Sequence, residues 1–270
     1  LAAGLVAARR DVGAGLITPA DAGPARLGLL SSPTAQALRD ERGTLTGWGV
    51  GIGFFALIIG LLSTTFTDEH ISRELRERLQ RLGGASITTP AGALGLYFLS
   101  SALPPPLFAS PLGPPPRRVL AYLRLETLLA LPVGRRRWLG GRLLVGAAAC
   151  LGLAMVAALL AWAGAASQGA DVSLPRMLEA GVNCMPASLL FLGLGALAFA
   201  AWPRAGVGIA YGLVSAAFVW ELVGSLLGTP AWMLDLSPFH HIGLVPAQAL
   251  RATAAVATLA VAAAAACAAL

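Results

Sequence analysis

Lysine is missing from this chain, and all 19 of its basic residues are arginine. That absence excludes an intact Walker A loop, whose lysine reaches the nucleotide phosphates, and any Schiff-base lysine. Charge is scarce as well. Charged residues make up 12% of 270 positions, against roughly 25% in soluble domains, so the chain cannot clothe a water-facing surface in the usual way. Cysteine is limited to Cys150, Cys184 and Cys267, scattered through apolar segments without CxxC spacing. Neither a disulfide framework nor a zinc site is supported. What fills the chain is apolar, with 57% hydrophobic residues and a mean hydropathy of +0.75. The balance argues against a soluble globular enzyme. The net charge of +6 does not point to nucleic acid, because the arginines stand in short blocks between apolar runs, where they report membrane orientation.

A bilayer core of about 30 Å calls for about 20 mostly apolar residues per helix. Six windows are read as spans, at 48–66, 91–112, 143–166, 182–202, 206–227 and 252–270. The second is interrupted by Pro104, Pro105 and Pro106. The sequence therefore predicts an all-α integral membrane protein, with residues 47–270 as a six-span transmembrane domain. Residues 1–8 read as the tail of a preceding helix, which makes the chain part of a longer polypeptide. Residues 9–46 read as a linker rich in Gly, Pro, Ala and Ser that ends in an interfacial helix over 34–42. Between the first two spans, residues 68–82 alternate acids and arginines around Ile71, Leu75, Leu79 and Leu82. That pattern predicts a short amphipathic helix on the membrane surface.

The arginines divide unequally between the two sides. Residues 9–46 hold Arg9, Arg10, Arg26, Arg39 and Arg42, and residues 117–142 hold seven more, while Arg204 marks the turn between the fourth and fifth spans. Six spans place these thirteen on one side, opposite Arg73, Arg76, Arg78, Arg81, Arg176 and Arg251. Arginine excess in short loops marks the cytoplasmic face, so both termini are expected inside, in a plasma (inner) membrane.

The stretch from Leu120 to Arg142 carries the most information. Leu120, Leu123, Leu128 and Leu131 recur at the spacing of a helical apolar face, with Arg124 and Glu126 off it. Pro132-Val133-Gly134 then stops the helix before Arg135-Arg136-Arg137-Trp138. By composition alone this is a juxtamembrane helix. The order of residues, an acid, a leucine run and Leu-Pro-Val-Gly-Arg-Arg-Arg-Trp, resembles the coupling region of ABC-2 type exporter permeases, and most closely the actinobacterial antibiotic exporters. A second block, from Glu221 through Leu236-Ser-Pro-Phe-His240 to Val245-Pro-Ala247, resembles the external re-entrant segment of the same family.

The resemblance covers roughly residues 9–270 and implies the C-terminal, six-span half of a permease carrying a cytoplasmic coupling helix over about 120–135. It implies export of antibiotics or other hydrophobic molecules, driven by a partner ATPase dimer that holds the ATP and Mg; this chain itself carries no cofactor and is no enzyme. The other implied partner is an N-terminal permease half or a second permease copy, fused or separate, in contact with membrane lipid. Leu125, Glu126, Leu128, Leu131, Pro132, Val133, Arg135, Arg136 and Arg137 would then meet the ATPase. The chain departs from the family where Pro104–Pro106, Pro111 and Pro114–Pro116 stand in place of a continuous helix.

Glu221 is the one acid inside a predicted span, about two-thirds along the fifth. A charge there is costly and must face protein or water. Two readings stay open: a substrate-pathway residue, or an acid near the outer end that caps or pairs structurally. Asp235 with His240 and His241 could suggest a metal, but adjacent histidines alternate in direction and no third ligand has fitting spacing, so these read as polar groups of an external loop. Two other classes remain. An ion-coupled secondary transporter would need more buried acids than Glu221, and an intramembrane enzyme would need His, acid or Cys residues clustered at membrane depth.

Overall fold

The computed structural model describes residues 32–66, 89–101, 134–202, 205–227 and 229–270. These residues form α1 (Pro33–Leu62), which runs into a 3-10 turn (Ser63–Phe66), then α2 (Pro90–Ser101), α3 (Arg135–Ser167), α4 (Leu174–Asn183), α5 (Met185–Ala201), α6 (Gly206–Leu227), the single-turn α7 (Ala231–Leu234) and α8 (Ala252–Ala269). Among them, five helical stretches are long and apolar enough to cross a membrane: Thr34–Thr65, Arg136–Ser167, Leu174–Ala201, Gly206–Gly224 and Ala252–Ala269. The described residues are helical or irregular throughout, as an all-α membrane protein requires. Of the second predicted span, 91–112, the described part is the helix to Ser101; the rest, like the surface helix expected over 68–82, lies outside the described residues.

Local chemistry sets the helix limits. Ser32 accepts a hydrogen bond from the Ala35 amide (3.1 Å), with Pro33 in the first turn, and starts α1. A capping oxygen and a first-turn proline each suit the unpaired amides of a helix start. The sequence reading separated an interfacial helix over 34–42 from a span over 48–66, whereas α1 runs unbroken through both. No proline interrupts residues 34–62, and once a helix has started, isolated glycines cost it only about 1 kcal/mol each. At the far end of α3, Gly169 takes a positive φ of 73°, the left-handed conformation in which glycine closes a helix. The predicted fourth span, 182–202, is preceded by α4 and broken at Cys184. Pro186 has no amide to donate, so the helical ladder restarts at Met185 instead of running through.

Packing turns these rods into a bundle. α1 and α3 run parallel: Thr34 lies against Gly141, Gly49 against Leu153, Gly53 against Val156 and Leu160, and Gly60 against Gly164. The backbones touch at the last pair. A Cβ on Gly164 would stand 2.5 Å from the Leu57 carbonyl oxygen, and one on Gly60 would collide with the Ala161 carbonyl. Ala158, Ala161 and Ala165 beside this contact are fully buried. Lipid tails are as apolar as leucine, so such contacts hold by close van der Waals packing, which small residues allow. Each helix ends alike, with Ser63 Oγ donating to the Gly60 carbonyl (2.7 Å) and Ser167 Oγ to the Gly164 carbonyl (2.7 Å).

The remaining helices alternate in direction around this pair. Tyr97 of α2 donates to the Ile52 carbonyl (3.4 Å), and Cys184 approaches the Phe98 carbonyl (3.3 Å). α5 returns toward the start of α3, where Leu139, Ala196 and Ala269 form one buried cluster. α8 follows α5, with Gly193 against the Ala262 carbonyl. The bundle thus has two ends. At the arginine end lie the starts of α1 and α3, the end of α5 and the end of α8; at the loop end lie Ser63–Phe66, the start of α4 and residues 229–250.

Replacing Gly164 by Leu should force α1 and α3 apart and cost about 1–3 kcal/mol, as overpacking does. The control is Gly152→Leu, where nothing lies within 4 Å of an added Cβ. Thermal unfolding in detergent should fall for the first and stay near wild type for the second. Equal melting of both would show that the close approach is dispensable.

Candidate functional site

The loop end holds irregular backbone, which low-dielectric surroundings tolerate only where protein satisfies its polar groups. Residues 229–250 meet that condition through side chains from three directions. Asn183, buried at the end of α4, donates from Nδ2 to the Gly243 carbonyl (2.7 Å). Trp220 of α6 donates from Nε1 to the Met233 carbonyl (2.9 Å), and Ser237 Oγ returns to the Ala217 carbonyl (3.3 Å). Beneath these bonds Phe239 is 1% exposed. Its ring stacks on Phe191 (5.4 Å between centroids) and meets Phe218 edge-on (6.0 Å). Leu244 packs so close to Gly95 of α2 that a Cβ there would sit 3.0 Å from the Leu244 carbonyl oxygen. The segment is therefore a packed cover over α2, α4, α5 and α6.

Glu221 belongs to this cover. It lies in the last third of α6, where its Oε1 is 3.1 Å from His240 Nδ1. An ionised carboxylate only accepts, so with Glu221 ionised this ring nitrogen is the donor. Oε2 of Glu221 is buried without a hydrogen-bond partner among the described residues. His240 Nε2 lies 3.9 Å from Asp235 Oδ1, within ion-pair reach but too long for a direct hydrogen bond. His241 turns the other way and donates from Nε2 to the Asp235 carbonyl (2.9 Å). Arg251, at the start of α8, donates to the His240 carbonyl (3.2 Å). Among the described residues no three His, Cys, Asp or Glu side chains converge as a metal site. Sequence reasoning left Glu221 between pathway and pairing, and missed that His240 is its partner. An acid in a span demands a counter-group, but 19 residues of chain separate the two, and spacing alone cannot choose between His240, His241 and Arg251.

The arginine end is built differently. Arg136 and Arg137 stand exposed in the first turn of α3, which Arg135 opens. Arg136 Nε donates to the Leu270 carbonyl (3.2 Å). Arg142, one turn deeper, lies over the Trp138 ring (5.0 Å) within electrostatic reach of Asp40 and Glu41 on α1. Its Nε is buried with no hydrogen-bond partner among the described residues. This charge cluster ties α1 to α3 where their apolar packing ends. Leu125, Glu126, Leu128, Leu131, Pro132 and Val133, the sequence-predicted coupling residues, lie outside the described residues.

Residues 30–270 match the family model described as the multidrug efflux system permease Rv1217c, C-terminal domain. Over 239 residues the chain is 32% identical to the multidrug efflux system permease protein Rv1217c of Mycobacterium tuberculosis (strain ATCC 25618 / H37Rv). That alignment covers 87% of this chain and 43% of the relative, so the chain spans less than half of the protein it resembles.

Asn183→Leu should leave the Gly243 carbonyl unsatisfied, a loss of about 1–3 kcal/mol at a buried site. Hydrogen exchange in nanodiscs is expected to quicken across residues 239–246 and to stay unchanged in α1 and α3. Unaltered protection over 239–246 would mean that Asn183 does not anchor the cover.

Proposed function

Because the chain belongs to the Rv1217c C-terminal-domain family of multidrug efflux permeases, as a C-terminal half of the ABC-2 type, we propose that it forms one side of an ATP-driven export pathway for hydrophobic small molecules. The observation that carries this reading is the pair of parallel helices α1 and α3, packed backbone to backbone, with α3 starting directly after residues 120–134. A push delivered at that place would act on a rigid two-helix unit.

The chain has no lysine for a P-loop, so any ATP drive must arrive through a contact. Leu125, Leu128 and Leu131 would seat in a groove of a partner ATPase dimer, with Glu126, Pro132, Val133 and Arg135 to Arg137 around them. Nucleotide-driven closure of the dimer would tilt α3, and α1 would follow through Gly60 and Gly164. An N-terminal permease half, or a second copy, would supply the other wall. ATP and Mg would belong to the ATPase and not to this chain. Glu221 would sit at the outer exit of the pathway, where residues 229–250 close it. The arginine end, which carries Arg39, Arg42, Arg136, Arg137 and Arg142 among the described residues, would face the cytoplasm of a plasma (inner) membrane, with both termini on that side.

Two experiments test this. Leu128→Ala combined with Leu131→Ala should weaken ATPase association, since buried interface anchors are worth about 2 kcal/mol or more each. Export should fall with it while membrane insertion holds. Normal binding and export by the double variant would remove the coupling role from this stretch.

Orientation is tested separately. A cysteine placed at Gly134, which is exposed, should resist impermeant thiol reagents in intact cells, and one at Gln80 should label. The reverse pattern would invert the topology.

A further inference from the structure

The bonds that hold residues 229–250 on α6 are not alike. Those from Trp220 to Met233 and from Ser237 to Ala217 end on backbone carbonyls, and neither donor changes charge near neutral pH. The His240–Glu221 contact does contain a titratable proton. It is also graded in depth: the side chains of Asp235, His240 and Glu221 are 59%, 28% and 12% exposed. A proton arriving from solvent at the loop end therefore meets Asp235 first, then the imidazole, then a carboxylate whose second oxygen is buried without a partner among the described residues.

We propose that His240 and Glu221 form a proton-binding site at the loop end, which latches residues 229–250 onto α6 when the imidazole is charged and loosens them when it is neutral. The latch gives the proposed exit its regulation and rests on that reading for its purpose, though not for its existence.

The sign follows from the donors. Imidazolium has two N–H groups, so Nδ1 bonds Glu221 at 3.1 Å while Nε2 faces Asp235 at 3.9 Å. One positive charge then lies between two negative ones. Deprotonation removes one donor and the whole charge, and leaves the buried Glu221 carboxylate against a neutral ring. A buried charge that loses its partner is expensive, and lifting the segment into water relieves it. The other charged and titratable groups are few. Arg251 bonds the His240 carbonyl, and His241 lies 6.4 Å away between ring centroids. Both oppose a charge on His240, whereas Glu221 and Asp235 favour it. The neighbours contributed by α5 and α6 beneath are Phe191 and Phe218, which carry no charge, and Arg176 and Glu179 of α4 pair with each other at 3.1 Å. Acid should thus close the latch and base should loosen it.

The test uses the full permease in nanodiscs without nucleotide or substrate. Ser237→Cys reports opening, since Ser237 is 2% exposed beneath the latch, and Leu236→Cys, at an 82% exposed position, is the reference. The ratio of their labelling rates by a maleimide cancels the thiol's own pH dependence. Cys267→Ala removes the exposed native thiol, while Cys150 and Cys184 are buried. The ratio is expected to rise about fivefold between about pH 5 and about pH 8. His240→Gln, which leaves the buried carboxylate against a neutral group, should hold it high and flat, and Glu221→Gln, which removes that carboxylate, should hold it low and flat. A flat ratio in the parent overturns the proposal before any variant is made, and so does a pH slope that survives in either variant. A permease that exports nothing could still pass this test, and an active exporter could fail it, so the latch and the export reading stand or fall separately.

Discussion

Backbone contact between α1 and α3 at Gly60 and Gly164 is the constraint from which the rest of the bundle follows. Hydrophobic burial gives helices no reason to associate in lipid, so the pair depends on atoms approaching closely enough for dispersion to accumulate. Side chains on either glycine would prevent that approach. With the pair fixed, the chain between α1 and α3 must cross back, because two parallel neighbours cannot be joined by a short turn. α2 then finds its place by bonding Tyr97 to α1 and packing Phe98 beneath α4. α5 and α8 repeat the device at Gly193, where the backbone of α8 comes within contact of a glycine rather than a side chain.

The two ends of the bundle solve opposite problems. At the arginine end, Arg42, Arg136 and Arg137 are exposed, and the half-buried Arg142 lies over the face of Trp138 within electrostatic reach of Asp40 and Glu41. At the loop end, the difficulty is unpaired backbone. Residues 229–250 adopt no long helix, yet the Gly243 and Met233 carbonyls are met by Asn183 and Trp220, and Ser237 of the segment reaches back to the Ala217 carbonyl of α6. Such a cover is held by a handful of separate bonds, in contrast to the continuous contact of α1 with α3.

Much of the fold class was legible in composition. Scarce charge and long apolar runs leave helices in a membrane as the economical way to satisfy the backbone, and the order Leu131-Pro-Val-Gly-Arg-Arg-Arg-Trp138 carried the family. The limits of α1 were less legible, since Arg39, Asp40, Glu41 and Arg42 look like the edge of a span and are its first turns. The break at Cys184 could have been read from Pro186, but apolar residues on both sides hide it from a hydropathy window. The Glu221 site was half legible: an isolated acid in an apolar run announces that it has a partner without saying which.

Sequence by itself determined what this chain is made to inhabit and what it cannot do alone. Its apolar runs require lipid, and its lack of lysine removes nucleotide hydrolysis by a P-loop, because both follow from residue types whatever their arrangement. Tertiary structure decided which glycines are contacts and which face open space, as Gly60 differs from Gly51 by no local signal and only by what lies opposite. It also decided that Glu221 meets His240 while His241 turns to a carbonyl. Hydrogen bonds select by distance and direction over a few ångströms, and those are fixed only when helices far apart in the chain have packed.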